Sequence, residues 1–310
     1  MLDVRRWALN VQDEMALIDK RIIWITFAAV FLIFSDPVCS QFSPAFPQND
    51  SYWANGKAEF NIYDAQIVRD GQVRPCEAFI IFGREFIDAK TLARVDDTKK
   101  ADALSTIRMN QIFTVSRGLF VEQQSLIANW RLDLLSLAHL SVVGGDTTGN
   151  LSRRVEEKRE GNSSNWFFIY NTHRDGAGFD RLVPPLTGPA IFYDELPLRV
   201  RMIDFSQAKG EFEIQLAPSL INSKKESVIF RPAKVNFTTS ERKIDISVRH
   251  MGGTDQFTLD GWFPFLLREW TAADGSRWKM KRSLKVDYWN YHKPGDRERA
   301  LKDPMLRHPD

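Results

Sequence analysis

The run Thr172-His173-Arg174-Asp175-Gly176 carries the residue types in this sequence that are best suited to chemistry. Histidine titrates near neutral pH, so His173 with Asp175 could act as an acid and base pair or could bind a ligand. No second histidine or carboxylate cluster stands nearby at the spacing of a metal site. The sequence therefore offers His173 and Asp175 as candidate ligand-binding residues and predicts no metal and no cofactor. A surface turn is the alternative interpretation.

Other catalytic patterns are weaker. The sequence has neither the Gly-x-Ser-x-Gly turn of serine hydrolases nor the glycine-rich loop that holds nucleotide phosphates. The pairs Asp96-Asp97 and Glu156-Glu157 could supply the two carboxylates of a glycosidase, but they stand in charged runs typical of solvated segments. Cys76 lies in an apolar stretch without a neighbouring histidine, which favours a buried structural thiol.

Three lysines near the end of the chain form a second candidate site. With the period of two of a β-strand, Lys279, Lys281 and Lys285 share one face. One interpretation is a sheet with one wet face. The other is a face that attracts anions, such as lipid headgroups or an acidic envelope polymer. The opposite face would carry the apolar residues Trp278, Met280, Leu284, Val286 and Tyr288.

Strand patterns are the elements that must position these residues. Between residues 57 and 68 the apolar alternation shifts phase, which predicts a strand with a bulge near Ile62. Asp70-Gly71 predicts a hairpin turn, and residues 78–87, apolar at most positions, predict a central return strand. The stretch 119–143 suits both periods and is interpreted as strands.

One helix is predicted over residues 195–204. Asp194 could cap it, Pro197 falls in its first turn, and its apolar residues share a face. Alternating strand patterns then continue toward the end of the chain. The fold class expected is mainly β (α+β). It would be a single curved antiparallel sheet or half-barrel with one or two short helices, the helix at 195–204 lying against the concave face.

The beginning of the chain predicts export. Lys20 and Arg21 precede an uncharged apolar run over residues 22–34. As a helix this run would span about 20 Å, short of the roughly 30 Å hydrocarbon core of a bilayer. Residues 1–40 are therefore interpreted as a signal peptide with cleavage before Gln41, and Met15 is a plausible start. An uncleaved anchor, a buried core helix or lipid modification at Cys39 are the alternatives.

Composition limits the remaining classes of protein. With 42 basic and 40 acidic side chains the formal net charge is +2, which does not favour nucleic-acid binding. The domain organisation expected is a disordered lead-in over 41–51, one β-rich domain over 52–292 and a polar tail over 293–310. After cleavage only Cys76 remains, which excludes an internal disulfide. No transmembrane span is expected after cleavage.

Three segments resemble a family of uncharacterised bacterial exported β-rich proteins. They are Tyr52-Trp53-Ala54-Asn55-Gly56-Lys57-Ala58-Glu59, Tyr193-Asp194-Glu195-Leu196-Pro197-Leu198 and Leu284-Lys285-Val286-Asp287-Tyr288-Trp289-Asn290-Tyr291. Some members are labelled septum formation inhibitor Maf, but the Ser-Pro-Arg-Arg motif of the Maf nucleotide pyrophosphatases is absent here. The order of elements is also similar to that of periplasmic curved-sheet and half-barrel proteins. The resemblance implies a fold more than a task.

The function expected is that of an exported, non-enzymatic protein of the cell envelope that binds or carries an apolar or amphipathic ligand. It would lie in the periplasm or outside the cell, with association with the outer membrane as one option, and a lipid or another envelope component would be its partner. A structural or interaction protein of the envelope is the alternative, and an exported hydrolase is the third. An internal cavity would favour the carrier, whereas an exposed apolar patch over a filled core would favour the interaction protein.

Overall fold

The structure is a computed structural model that describes residues 41–96, 102–146, 149–160, 163–172, 177–183, 190–207, 209–221 and 228–307. These residues form a single curved sheet that does not close on itself. The fold class expected from the sequence is therefore confirmed. The predicted signal peptide, His173 and Asp175 lie outside the described residues.

Fifteen strands make up the sheet, and short helices complete the described part of the chain. The helices are α1 (Asp50–Trp53), α2 (Leu196–Arg199) and α3 (Asp296–Lys302). The strands are β1 (Ala58–Arg69), β2 (Gln72–Asp88), β3 (Ala103–Arg117), β4 (Phe120–Arg131), β5 (Ser136–Asp146), β6 (Gly149–Glu160), β7 (Ser163–Thr172), β8 (Ala177–Val183), β9 (Ala190–Phe192), β10 (Lys209–Ala217), β11 (Arg231–Thr239), β12 (Lys243–His250), β13 (Gly253–Asp260), β14 (Leu267–Thr271) and β15 (Arg277–Val286).

The strand order is a meander in two halves, joined by the pairing of the first strand with the last. Across the sheet the strands follow in descending order from β8 to β1 and then in descending order from β15 to β9. Neighbouring strands are antiparallel except β9 and β10. The turn between β1 and β2 has positive φ at Asp70 (52°) and Gly71 (71°), as the tight turns that match strand twist require. This confirms the predicted hairpin. The ambiguous stretch 119–143 forms β4 and most of β5, as expected.

A short helical segment lies inside the curve of the sheet. It consists of a 3-10 turn (Tyr193–Glu195), α2 and a second 3-10 turn (Val200–Met202), and we call Tyr193–Met202 the central segment. Apart from Tyr193 its residues are buried. The helix predicted at 195–204 is thus present, but it begins and ends two residues earlier, and only Leu196–Arg199 is α-helical. We call the sheet face that packs on this segment the inner face and the opposite one the outer face.

The predicted cap at Asp194 is wrong. Its carboxylate instead accepts hydrogen bonds from Ser219 Oγ at 2.6 Å and from the Leu220 amide at 2.5 Å. Glu195 takes the capping role, since its Oε1 accepts the Phe192 amide at 2.8 Å. Burial raises the pKa of Asp194 to about 6 despite these two bonds. Asp194 thus ties the central segment to the chain that follows β10.

Described residues on both sides of the predicted domain 52–292, in the expected lead-in and in the expected polar tail, pack against the rest of the protein. Within the expected lead-in, Phe42 pairs with Ile203 and Phe46 is buried, because the first residues close one end of the core. Within the expected polar tail, α3 packs its buried Ala300 against the sheet, and Arg307 forms a bridge with Leu284. Both segments hold a few apolar residues among polar ones, which suffices for docking on an existing sheet.

A bulge decides which side chains of β15 face inward. The register between β1 and β15 shifts between Ile62 and Tyr63, and Lys281 is the extra residue. The predicted irregularity near Ile62 is therefore real, but the extra residue is on the partner strand. Beyond the bulge the alternation reverses, so Leu284 lies on the outer face and Lys285, opposite Glu59, lies on the inner face. The prediction that Lys285 shares an outward face with Lys279 and Lys281 is wrong.

Candidate ligand-binding site

The two exposed lysines of the predicted stripe face carboxylates on neighbouring strands. Lys279 Nζ lies 3.5 Å from Glu269 Oε1, and Lys281 Nζ lies 3.4 Å from Asp64 Oδ1. Exposed pairs of this kind contribute little to stability, but they balance the local charge. An anion-binding role for Lys279 and Lys281 stays a prediction.

Lys285 is held inside the protein by aromatic rings. Its Nζ lies 3.8 Å from the centre of the Tyr52 ring and 4.7 Å from that of Trp53, and no described residue accepts a hydrogen bond from it. Burial lowers the pKa of Lys285 to about 8, although the Glu59 carboxylate acts against this shift. The lysine therefore serves to hold α1 against the sheet by cation–π contacts.

A pH dependence of stability follows from Lys285. Its pKa lies below the usual 10.5, so between pH 8 and 10.5 the folded state binds fewer protons than the unfolded chain. Stability should therefore rise with pH across this window, by about 1–2 kcal/mol after allowance for partial exposure. Urea unfolding at several pH values measures it. Lys285→Met should abolish this part of the rise, whereas Lys281→Met should retain it; equal curves for the two variants would contradict the assignment.

A buried ion pair stands next to Lys285. The two terminal nitrogens of Arg201, Nη1 and Nη2, each donate to the Glu59 carboxylate at 2.8 Å, and neither side chain is exposed. Tyr52 Oη and Asn61 Nδ2 also donate to Glu59, each at 2.6 Å. Burial alone would raise the pKa of Glu59, but the charge and hydrogen bonds of Arg201 outweigh it and lower the pKa to about 2. Arg201 also donates to the Pro264 carbonyl. The charged groups of Glu59 and Arg201 are therefore hydrogen-bonded to each other and to neighbouring residues of the protein.

A second buried cluster contains the only histidine–carboxylate contact within hydrogen-bond distance in the described chain. Asp255 accepts hydrogen bonds from Tyr193 Oη at 2.6 Å and Trp270 Nε1 at 2.9 Å, and His250 Nε2 lies 2.6 Å from its other oxygen. The second ring nitrogen of His250 accepts the Gly252 amide at 3.1 Å. Both nitrogens are thus used to fix the turn after β12. This arrangement anchors the central segment and leaves His250 poorly placed for proton transfer.

The carboxylate pair Glu156-Glu157 does not converge. Neighbouring residues of a strand point to opposite faces, and the two side chains contact different arginines, Arg154 at 3.4 Å and Arg131 at 3.7 Å. They cannot flank one substrate bond from opposite sides. Asp97 lies outside the described residues.

Burial raises the pKa of the Cys76 thiol to about 11, which agrees with an unreactive structural cysteine.

The outer face carries an apolar cavity of about 260 Å³ under residues 288–307, which we call the C-terminal segment. Phe60 forms the centre of one wall, with its ring 5.5 Å from that of Phe79 and 5.7 Å from that of Tyr288. Arg297, which is paired with Glu77, stands among the lining residues. The remaining walls come from β1, β15 and the chain around α3: Ile62, Leu284, Val286, Tyr291, Ala300 and Leu301.

A second cavity of the same volume, about 260 Å³, adjoins the first. Tyr288 lines both, and Ala58, two residues before Phe60, lines the second. Its character is different, because its lining combines charged residues with the small residues Gly56, Ala58 and Gly83 and with Trp289. The charged lining residues are Arg84, Glu85, Arg94, Asp96 and Arg108. We call the two cavities together the outer cleft.

Sequence reasoning missed the outer cleft. The alternation of Ala58, Phe60 and Ile62 predicts a strand, but it does not say that this apolar face is the outer one, with Glu59 and Asn61 at inner positions. Because both faces of this part of β1 are buried, a second layer of chain must cover its outer face. That layer is the C-terminal segment, most of which falls within the predicted polar tail over 293–310.

The comparisons give a structural likeness alone. No protein-family model matches the chain, and no curated protein matches it. Among solved structures, the chain is similar to a β-barrel-like protein of a domain of unknown function, DUF1849, from Brucella abortus. The identity is 9%, the TM-score is 0.41, and the match covers 74% of this chain and 98% of that one. The resemblance to an exported bacterial family therefore stays a prediction.

Proposed function

We propose that this protein binds the apolar chain of an amphipathic molecule in the outer cleft. The observation that carries the proposal is the pairing of an apolar cavity with a charged cavity through the shared side chain of Tyr288. Ligand sites are mostly apolar concavities with a few polar groups that orient the ligand. Each cavity alone is smaller than a drug-sized site, so a single chain with one head group fits better than a bulky ring system.

The central segment occupies the inner face of the sheet, which supports placing the ligand on the outer face. Trp130 donates from Nε1 to Glu195 at 2.8 Å, and Arg199 stacks 3.7 Å from the centre of the Trp130 ring. Arg201 stacks on Phe46 and Phe82 at 4.6 and 4.8 Å. Among the described residues the central segment therefore fills the space that an internal carrier would give to its ligand. We place the ligand on the outer face instead.

No transmembrane helix is present in the described part of the chain: none of its helices has the length and apolar character required. We propose, from the apolar run before residue 41, that the protein is exported and acts at the cell envelope, where amphipathic lipids supply ligands of this kind. An uncharged head group and an acidic one are both compatible with this proposal.

A role as an interaction protein is the second candidate, and one observation favours it. At the turn between β3 and β4, Leu119 is 97% exposed, and Phe120 and Val121 beside it are also exposed. Val73 on the adjoining turn of β2 is exposed too. Apolar side chains presented in this way are typical of contact surfaces. Crosslinking in extracts of the native host would identify a partner at Leu119.

Calorimetric titration with decanol, a single-chain probe without charge, tests the proposed function. Decanol should bind saturably at one site per chain. Ala300→Phe, which fills the apolar cavity from the helix side, should weaken binding by about tenfold or more, equivalent to about 1.4 kcal/mol. Glu298→Phe adds the same side chain at an exposed position of α3 and should leave affinity unchanged. Saturable binding that Ala300→Phe does not alter, or no binding, would overturn the proposal.

A further inference from the structure

We infer that one end of the sheet docks on a lipid surface that carries acidic head groups. This end, which we call the turn end, holds the β1–β2, β3–β4, β12–β13 and β14–β15 turns. The inference goes beyond ligand binding in the outer cleft and does not depend on it. The arrangement of the turns, their exposed apolar side chains and the charges beside them carry it.

The four turns form one continuous edge. Because β15 pairs with β1 and β14 with β13, the β14–β15 turn lies between the β1–β2 and β12–β13 turns. Ser276 Oγ of the β14–β15 turn accepts the Val68 amide of β1 at 2.9 Å. On the other side, Arg74 Nη1 of β2 donates to the Ser116 carbonyl of β3 at 3.1 Å. β11, which begins beside the β12–β13 turn, extends the edge.

Large apolar side chains are exposed along this edge. They are Val73, Leu119, Phe120, Val121, Ile229 and Met251. Leu119 and Met251, both in turns, are 97% and 76% exposed. Turn geometry explains Gly118, whose φ is 67°, but a solvent-exposed turn position usually holds a small or polar residue where this chain has Leu119. Exposed apolar side chains grouped in this way are typical of surfaces that contact a protein or a membrane.

The charges at the turn end favour a surface of acidic lipid. Arg231, Arg249 and Arg277 are exposed, and none of them contacts a carboxylate in the described part of the chain. Of the two exposed carboxylates in the four turns, Asp70 is paired with an arginine and Asp274 is not. Three free cations against one free carboxylate leave a positive excess at this end.

A lipid surface matches both kinds of side chain at once. Leu119 and Met251 can enter the boundary between head groups and acyl chains, while long arginine side chains keep their charge at the level of the head groups. Each arginine near an acidic lipid surface strengthens binding by about fivefold. A fluid surface also requires no complementary shape, which suits an edge made of separate turns.

Flotation with two kinds of vesicle tests the inference: equal parts of phosphatidylcholine and phosphatidylglycerol, and phosphatidylcholine alone. At low salt the protein should bind the acidic vesicles about tenfold or more tightly than the neutral ones, and added salt should reduce this preference. Leu119→Ser combined with Met251→Ser should weaken binding to the acidic vesicles by about tenfold. Leu134→Ser combined with Met305→Ser removes the same exposed residue types away from the turn end and should leave binding unchanged.

A second pair of variants tests the charges. Arg231→Gln, Arg249→Gln and Arg277→Gln together should abolish the preference for acidic vesicles. The control removes three exposed cations at the opposite end of the sheet and should retain the preference; it combines Lys57→Gln, Lys209→Gln and Arg242→Gln. Thermal melting of each variant confirms that it is folded before flotation.

The inference is wrong if the parent protein binds neither kind of vesicle, or if the turn-end variants bind as their controls do. If the parent binds no vesicles and Leu119→Ser with Met251→Ser changes the oligomeric state in native mass spectrometry, the turn end is a contact between copies of the chain instead. Decanol binding in the outer cleft should be the same in all of these variants, so the two proposals can fail separately.

Discussion

Replacing Arg201 with Met is expected to destabilise the protein by about 3–5 kcal/mol, among the largest effects of a single substitution in this chain. Arg201 and Glu59 are both fully buried, and the substitution would leave the Glu59 carboxylate without its cation. An isolated buried charge costs far more than the net value of the pair. Urea unfolding at pH 7, followed by tryptophan fluorescence, measures the change.

The double substitution Glu59→Met with Arg201→Met is the control. It removes both charges, so it should be more stable than Arg201→Met alone, with a coupling energy of roughly 1–3 kcal/mol. In the parent, Glu59 has a pKa of about 2 instead of its usual 4.5, so its contribution is complete above pH 4.5 and is lost as the pH falls toward 2. Simple additivity of the two substitutions would show that the pair is not coupled.

Replacing Leu284 with Ala is expected to cost about 2–5 kcal/mol, the usual range for a packed leucine. Leu284 is 3% exposed, although it lies on the outer face. Its burial comes from the C-terminal segment, which lines the same cavity. Chemical unfolding of the two proteins side by side gives the difference.

Two comparison variants separate this explanation from a general weakness of β15. Lys281→Ala, on the exposed bulge residue of the same strand, should change stability by less than about 0.5 kcal/mol. A chain that ends at Asp287 should lose most of the cost of Leu284→Ala, because its Leu284 is already exposed. If Leu284→Ala were as costly in the shortened chain, the C-terminal segment would not be what buries it.

Local signals in the sequence predicted the elements well. Asp70-Gly71 specified the first hairpin, and strand alternation identified the sheet on both sides of the central segment. The helix near 195–204 was also expected against the concave face, where Glu195 and Arg199 now contact Trp130. These features depend on residues close in sequence, for which spacing is informative.

The outer cleft could not be predicted in the same way, because its walls come from segments far apart in the chain. Phe60 meets Tyr288 only after β1 has paired with β15 and the C-terminal segment has folded back. The orientation of Lys285 was missed for a related reason. One bulge at Lys281 reverses the alternation, and nothing near Lys281 in sequence marks it.

The pairing of β1 with β15 also fixes the order in which this molecule can be completed. Every other antiparallel partnership joins strands that follow one another in sequence and can form as soon as both have been synthesised. One edge of β1 must instead stay unpaired until β15 has been synthesised. During that interval the outer cleft does not exist, and unpaired backbone of β1 is available to other chains. A cell that makes this protein thus has reason to keep it unfolded, or its first strand covered, until the last strand arrives.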